Sequence, residues 1–315
     1  MKPLKIGDLK LKNPLLLSPM VDVTDLPYRL ICRKAGAGMA YTPMLYVSAI
    51  LHKNRATEDL MKSTKEDRPL GLQITGDRQG EFKELSPYLK GFDLVDINCG
   101  CPSLRIIGSK AGSYLLMHPE KIAGMIKILK SEKVNPEGIP VTAKIRLGFK
   151  QNNVLEVAKS VEKAGADAIT LHARLATQGG KTPADWKWIA KVKENVGIPV
   201  IGNGDIFNGE KAAEMLDIAD GAMVARGAIG DPYIFERILH YLKTGKEKEF
   251  DFKKNLKAFQ EYITLSKKHK LLNIQRVKYL GTNFLRNIEG AAKMRDNLMK
   301  CRDIKSIEKY LGGIE

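Results

Sequence analysis

Short apolar runs alternate with longer amphipathic stretches along the first 235 residues. The stretches at 153–164 and 209–216, for example, repeat apolar residues at helical spacing. Runs rich in Val, Ile and Leu and bounded by turn residues predict β-strands. There are eight of them, at residues 15–20, 39–41, 70–75, 94–97, 141–145, 168–172, 200–202 and 222–225. Eight strand–helix units in this length predict a TIM (β/α)8 barrel, an α/β fold.

The strand pattern stops after Asp231-Pro232, and the rest of the chain is helical in pattern. We predict helices over 252–269, 275–287 and 291–302. The barrel is therefore expected to be followed by a small C-terminal all-helical domain. We divide the chain into a catalytic TIM barrel at residues 1–240 and a helical domain at residues 241–315.

Composition agrees with a barrel plus an appendage. The 315 residues are 43% hydrophobic, which suffices for one large core. Four cysteines do not make a disulfide framework, and Met1–Lys5 lacks the apolar core of a signal peptide. No apolar stretch reaches the length needed to cross a bilayer. We expect a cytoplasmic protein without membrane association that acts as a monomer.

Positive charge is concentrated in the predicted helical domain. The net charge is +16, and the segment from Glu236 onward has 19 Lys and Arg against 10 Asp and Glu. Such a segment attracts a polyanion through counterion release. The alternative is an ordinary solvated helical surface, and charge alone does not separate the two.

The ends of the predicted strands carry polar and reactive side chains. The carboxyl ends of barrel strands form the active site in this fold, and alternate residues of a strand share a face. The candidates, in strand order, are Pro19 and Met20; Gln73; Asn98; Lys144; His172 and Arg174; Asn203, Gly204 and Asp205; and Arg226 and Gly227. A purely structural barrel would not need this set, although any single member has a structural explanation.

The fourth strand ends in a turn with two thiols, Asn98-Cys99-Gly100-Cys101-Pro102. A thiol just beyond a strand end is placed for chemistry. A zinc half-site or a pair of inert core cysteines is the alternative. Zinc would need a second pair of ligands, but Cys32 and Cys301 are isolated and the five histidines do not cluster.

The seventh and eighth strand ends predict a phosphate site. Gly202 and Gly204 allow backbone N–H groups to approach an anion, and a helix beginning at Gly209 is expected to point its N-terminus there. Arg226-Gly227 adds a charge and a second close backbone approach. Flavin mononucleotide (FMN) fits this arrangement, with its ring near Lys144, because a cation there stabilises reduced flavin.

Several segments together resemble the tRNA-dihydrouridine synthase family, in order along the whole barrel. They are residues 18–29 (SPMVDVTDLPYR), 72–76 (LQITG), 96–102 (DINCGCP), 111–116 (AGSYLL), 141–148 (VTAKIRLG), 183–186 (PADW) and 202–205 (GNGD). The helical tail is similar in position and character, with a looser match. Leu175, Ala176 and Gly180 stand where family members commonly have a threonine, an arginine and an aromatic residue.

The resemblance implies an FMN enzyme that reduces tRNA uridine to 5,6-dihydrouridine, with NADPH as reductant. Hydride passes to C6 of the uracil, and Cys101 gives a proton to C5 as a thiol, with Cys99 as a bystander. By the same resemblance Asn98 and Arg174 contact the substrate. The cofactor is expected to contact Pro19, Met20, Gln73, Lys144, His172, Asn203, Gly204, Asp205, Arg226 and Gly227. No metal is implied.

A stacked uridine must leave the tRNA fold to reach a barrel mouth, so the tRNA body needs anchors. We predict that the tail supplies them through Lys267, Lys268, Lys270, Arg276, Lys278 and Arg286. Two other functions stay open on sequence alone. One is a small-molecule FMN oxidoreductase of the dihydroorotate dehydrogenase type, and the other is a non-catalytic tRNA-binding protein on a barrel scaffold.

Overall fold

A computed structural model describes residues 3–286 and 288–314 of the chain. The strands, in chain order, are β1 (Lys5–Ile6), β2 (Leu9–Lys10), β3 (Leu15–Leu17), β4 (Ala40–Tyr41), β5 (Leu45–Tyr46), β6 (Leu70–Thr75), β7 (Leu94–Asn98), β8 (Val141–Arg146), β9 (Ala168–His172), β10 (Val200–Asn203) and β11 (Gly221–Val224).

Helices follow most of the strands. They are α1 (Leu26–Lys34), α2 (Val47–Leu51), α3 (Arg55–Met61), α4 (Gln79–Phe82), α5 (Ser86–Leu89), α6 (Leu104–Gly108), α7 (Pro119–Leu129), α8 (Val154–Lys163), α9 (Lys187–Asn195), α10 (Gly209–Ile218), α11 (Ile234–Thr244), α12 (Phe252–Lys268), α13 (Ile274–Phe284), α14 (Ala291–Lys300) and α15 (Ile304–Gly312). Short 3₁₀ turns lie at Lys65–Asp67, Gly112–Met117 and Arg226–Ala228.

Eight parallel strands form the barrel, in the order β3-β11-β10-β9-β8-β7-β6-β4. The ring closes through a parallel bridge between Leu16 and Met39, where the amide of Leu17 also donates to the carbonyl of Met39. Strand β5 pairs with the far end of β6. The predicted fold class is confirmed, and the eight predicted strands coincide with barrel strands to within a few residues.

The barrel interior is layered because alternate strand residues point inward. Its lower layer is apolar and includes Leu16, Met39 and Ile201. The antiparallel hairpin β1–β2, which the sequence did not predict, lies against this layer with Leu4 and Ile6 buried. The lower end is thereby filled, which leaves the upper end, at the carboxyl ends of the strands, as the open face.

Helices α11 to α15 make up the rest of the chain. Helix α11 packs on α10 and α12 packs on α1, whereas α14 and α15 pack on α12, α13 and each other. The predicted domain boundary at residue 240 falls inside α11. The three predicted tail helices correspond to α12, α13 and α14, and α15 was not predicted. The predicted end of the second of them, Asn287, lies outside the described residues. None of the described helices is long and apolar enough to cross a membrane.

The tail and the barrel share buried contacts on the side of α1. Tyr28 from α1 meets the rings of Tyr262 and Phe284 edge-to-face at 6.2 and 6.1 Å. Asp25, which caps α1, accepts hydrogen bonds from Tyr262 and Arg276, both at 2.9 Å. These contacts hold α12 and α13 beside the loop after β3, near the open face of the barrel.

Candidate active site

Two adjoining cavities open at the upper end of the barrel, of about 250 and about 390 Å³. They share Lys144, Arg146, His172 and Arg226 in their linings. Together they fall in the usual size range of ligand pockets, roughly 300–1,000 Å³. The sequence-predicted residues divide between them: the larger is lined by Pro19, Met20, Gln73, Asn98 and Cys101, and the smaller by Arg174, Asn203, Gly204, Asp205 and Gly227.

Lys144 lies at the junction of the two cavities. Its Nζ atom donates to Oδ1 of Asn203 at 2.9 Å, and Nδ2 of Asn203 donates to the carbonyl of Met223 at 2.7 Å. Burial, reinforced by the charge of Arg146, lowers the pKa of Lys144 to about 8. The side chain therefore remains mostly cationic at neutral pH and is ready to face an anionic group.

His172 is neutral in this site. Burial, together with the charges of Lys144 and the nearby arginines, lowers its pKa far below the ordinary value. Arg174 approaches Nε2 of His172 at 3.0 Å. Because a guanidinium only donates, Nε2 accepts and Nδ1 carries the proton. The ring thus has a neutral N–H donor.

Arg174 supports the site from within the protein. It was expected to contact the substrate, but it is only 2% exposed. Its guanidinium donates to the carbonyl of Thr182, to His172 and to both carboxylate oxygens of Asp205. With these partners, the residue holds His172 and Asp205 in place, and it also lines the smaller cavity.

Asp205 joins two arginines at the smaller cavity. Burial alone would raise its pKa, but hydrogen bonding and the charges of Arg174 and Arg226 lower it below the ordinary value. Arg226 also donates to the carbonyl of Gly180 at 3.0 Å. The loop after Arg174 therefore contacts the site through the backbone carbonyl of Gly180.

The predicted phosphate cradle is only partly as expected. Gly204 lines the cavity with a φ of +121°, a conformation that favours glycine. Gly202 instead faces α10, where a Cβ would collide with Met215, so its role is strand–helix packing. The N-terminus of α10 already binds a carboxylate of the protein itself, because the amide of Glu210 donates to Glu247 at 2.9 Å. That helix does not contribute to the cavity.

The turn after β7 holds Cys101 at the larger cavity. Oδ1 of Asn98 accepts from the amides of Gly100 and Cys101 at 3.2 and 3.0 Å, and Arg146 donates to the carbonyl of Gly100 at 2.6 Å. Cys101 is half-buried at the cavity wall. Cys99 is fully buried, and burial raises the pKa of its thiol well above the usual value.

Sequence reasoning missed two residues beside this site. Asp96 lies opposite Gln73 in the register of β6 and β7 and accepts a hydrogen bond from it. Its alternation with Asn98 along β7 indicates this inward position. Tyr279 from α13 is 46% exposed and lines the larger cavity together with Val21. No local pattern marks Tyr279, because only the docking of the tail brings it to the barrel mouth.

The six predicted tRNA anchors have different surroundings. Lys267, Lys268, Lys270 and Arg286 are exposed, and Lys267 pairs with Glu308 at 2.6 Å. Two others are engaged in the fold. The side chain of Arg276 is 18% exposed and pairs with the buried Asp25, and Lys278 donates to the carbonyl of Met299 at 2.9 Å. The structure thus gives Arg276 a role in fixing the tail to the barrel.

The fold and the cavity define a TIM-barrel enzyme with a cationic ligand pocket and a cysteine at its mouth. Comparison with known families places it further. The model of the family described as dihydrouridine synthase matches residues 16–311. The chain belongs to this family, which confirms the resemblance and the expected enzyme class.

Named relatives agree with that assignment. The probable tRNA-dihydrouridine synthase 1 of Synechocystis sp. is 36% identical over 96% of this chain and 87% of its own length. The tRNA-dihydrouridine synthase B of Yersinia pestis is 36% identical over 77% of this chain and 76% of its own length. Among solved structures, histamine dehydrogenase from Rhizobium sp. 4-9 superposes with a TM-score of 0.56 at 15% identity. That likeness covers 78% of this chain and 47% of the other and concerns the fold alone.

Proposed function

We propose that this protein reduces uridine in tRNA to 5,6-dihydrouridine, with FMN as cofactor and NADPH as reductant. The observation that carries the proposal is the placement of Cys101. Its thiol lies at the wall of the cavity that also contains Gln73, Lys144 and His172. A proton donor and a set of flavin-type contacts therefore face one space.

FMN fits the residues of the two joined cavities. The smaller cavity offers Arg226, the backbone of Gly204 and the Gly227 turn to a phosphate. At the junction Lys144 and the N–H of His172 are placed for the electron-rich edge of a ring system, with Pro19 and Met20 beside it. When bound, FMN supplies the hydride for C6 of the uracil, and NADPH reduces the flavin again.

Cys101 completes the reduction by giving its thiol proton to C5 of the uracil. The C5–C6 double bond then gains one hydride and one proton, and the resulting thiolate regains its proton from water. Arg146 donates to the carbonyl of Gly100 next to Cys101, and Asn98 accepts from the amide of Cys101. Both contacts hold the thiol at the mouth, where a proton donor has to be within hydrogen-bond reach of its target.

The rim of the larger cavity fits a nucleotide extruded from its stack. Tyr279 and the 58%-exposed Val21 line this cavity and also an adjoining cleft, whose other lining residues are Asp22, Asn273, Gln275 and Arg276. Bases splayed out of folded RNA commonly stack on aromatic side chains and bond to polar ones. At the end of α12 and just after it, Lys267, Lys268 and Lys270 are exposed cations for phosphates.

The decisive experiment is incubation of the FMN-loaded protein with unmodified tRNA and NADPH, followed by nuclease mapping and mass spectrometry. A mass gain of two hydrogens on a uridine supports the proposal and locates the position. Consumption of NADPH on orotate or another small enone, with unaltered tRNA, would instead indicate the small-molecule oxidoreductase.

A further inference from the structure

The buried carboxylate of Asp96 is connected to the turn that holds Cys101 by hydrogen bonds through two side-chain amides. Asp96 is 1% exposed and accepts from Nε2 of Gln73 at 2.7 Å and from Oγ1 of Thr142 at 2.6 Å. Oε1 of Gln73 in turn accepts from Nδ2 of Asn98 at 2.9 Å. Asn98 then accepts from the amide of Cys101 through its own Oδ1.

The direction of these hydrogen bonds follows from the chemistry of the carboxylate. An ionised carboxylate only accepts, so Gln73 has to present its NH₂ group downward and its carbonyl oxygen to Asn98. Asn98 consequently presents its NH₂ to Gln73 and its oxygen to the turn. Reversing either amide would bring two acceptors or two donors together inside the barrel, where such a mismatch is costly.

We propose that Asp96 is a positioning residue for uridine reduction, which fixes the orientation of the Gln73 and Asn98 amides and thereby the Cys101 turn. The inference rests on the proposed function and adds to it. Gln73, expected at the cofactor, and Asn98, expected at the substrate, both line the larger cavity. Asp96 thus fixes which way both amides are turned, although it does not line the cavity itself.

The charged surroundings of Asp96 are consistent with this role. Burial raises its pKa to about 6, against the bonds from Thr142 and Gln73 and the charge of Lys144. Its other titratable neighbours are the hydroxyl of Tyr41 and the thiol of Cys99, and burial raises the pKa of both far above neutrality. The carboxyl group is therefore the anionic acceptor of this interior layer at neutral pH.

The test compares Asp96→Leu and Asp96→Asn with the control Thr170→Val, in FMN-loaded protein. Thr170 is buried in the same barrel interior, and its hydroxyl has no partner among the described residues. Two half-reactions are followed separately: reduction of the flavin by NADPH, and its reoxidation by tRNA. Asp96→Leu should slow the tRNA half-reaction on the order of 100-fold, because small misplacements of reacting groups have such effects. The NADPH half-reaction should slow much less, because Gln73 is the one expected cofactor contact to which Asp96 is hydrogen-bonded among the described residues.

Asp96→Asn keeps one oxygen that can accept from Gln73 while its NH₂ donates to Thr142, so its effect should be smaller than that of Asp96→Leu. A double-mutant cycle of Asp96→Asn and Asn98→Ala tests whether Asp96 acts through Asn98. If it does, the double variant reduces tRNA hardly more slowly than Asn98→Ala alone. The effect of Thr170→Val on this rate should instead add to that of Asn98→Ala independently.

Additive effects of Asp96→Asn and Asn98→Ala, or an equal loss in both half-reactions, would overturn the positioning role. A tRNA half-reaction of Asp96→Leu within threefold of wild type would do the same. If Asp96→Leu fails to fold, the Asp96→Asn cycle still decides. Failure of the proposed function is a separate result, since wild-type protein would then form no dihydrouridine at all.

Discussion

Nζ of Lys144 donates to Oδ1 of Asn203 across the barrel mouth, at 2.9 Å. The two residues come from β8 and β10, which are separated in the sheet by β9. Their hydrogen bond provides a polar partner for a lysine that burial would otherwise leave uncompensated. It also fixes the cation beside the junction of the two cavities.

Replacing Lys144 should stabilise the protein without cofactor, most strongly at and below neutral pH. Folding lowers the pKa of Lys144 from 10.5 to about 8. Between these two pH values the unfolded state binds more protons than the folded state. The contribution of Lys144 to the free energy of unfolding therefore rises with pH in this range. We expect Lys144→Met to have a larger free energy of unfolding than wild type at pH 7. The advantage should shrink by roughly 2–3 kcal/mol by pH 10. Denaturant titrations across this range measure it, and a difference that is constant with pH would contradict the assignment.

The two cysteines of the turn should behave differently. Cys101→Ala should retain FMN and its reduction by NADPH but lose dihydrouridine formation, because the cavity-facing thiol is gone. Cys99→Ala is the matched control: it should keep activity and lower stability by roughly 1–2 kcal/mol, as for a small buried truncation. Separate assays of the two half-reactions distinguish them. Loss of product in Cys99→Ala alone would reassign the proton donor.

Neutralising the exposed lysines of the tail should weaken tRNA binding and reduce its salt dependence. Each phosphate contact contributes about 0.7–0.9 to the slope of log affinity against log salt. We expect the triple change of Lys267, Lys268 and Lys270 to Gln to flatten this slope by roughly 2. Binding titrations at several salt concentrations measure it.

The matched control removes three exposed lysines from the opposite end of the barrel, Lys5, Lys10 and Lys12. This change lowers the net charge equally but should leave the slope unaltered. Equal slopes for wild type and the tail variant would remove these lysines from the tRNA-binding surface.

Tyr279 should contribute to tRNA recognition through its ring. Stacking of a base on an aromatic side chain is worth about 1–3 kcal/mol. Tyr279→Ala is therefore expected to weaken tRNA binding about 10-fold or more, whereas Tyr279→Phe should bind nearly as wild type. Phe250→Ala, which truncates another exposed aromatic residue, serves as control. If Tyr279→Ala binds tRNA like the control, the ring has no role in stacking.

The sequence by itself determined the barrel and indicated many of the residues at its open face. Apolar runs bounded by turn residues predicted the eight strands, and the strand ends with the alternation along each strand indicated Lys144 and His172 as candidates for the open face. Both results depend on local geometry, which neighbouring residues specify. The turn Asn98–Pro102 was identifiable for the same reason, because a strand end and its turn are contiguous in the chain.

Only the tertiary structure decided how distant residues share their hydrogen bonds. Arg174 and Arg276 read as free cations in the chain, yet each is paired with a carboxylate, Asp205 and Asp25, that packing brings to it. Asp96 gained its connection to Cys101 in the same way. Such pairings depend on which groups burial leaves without water, and a linear pattern does not contain that information.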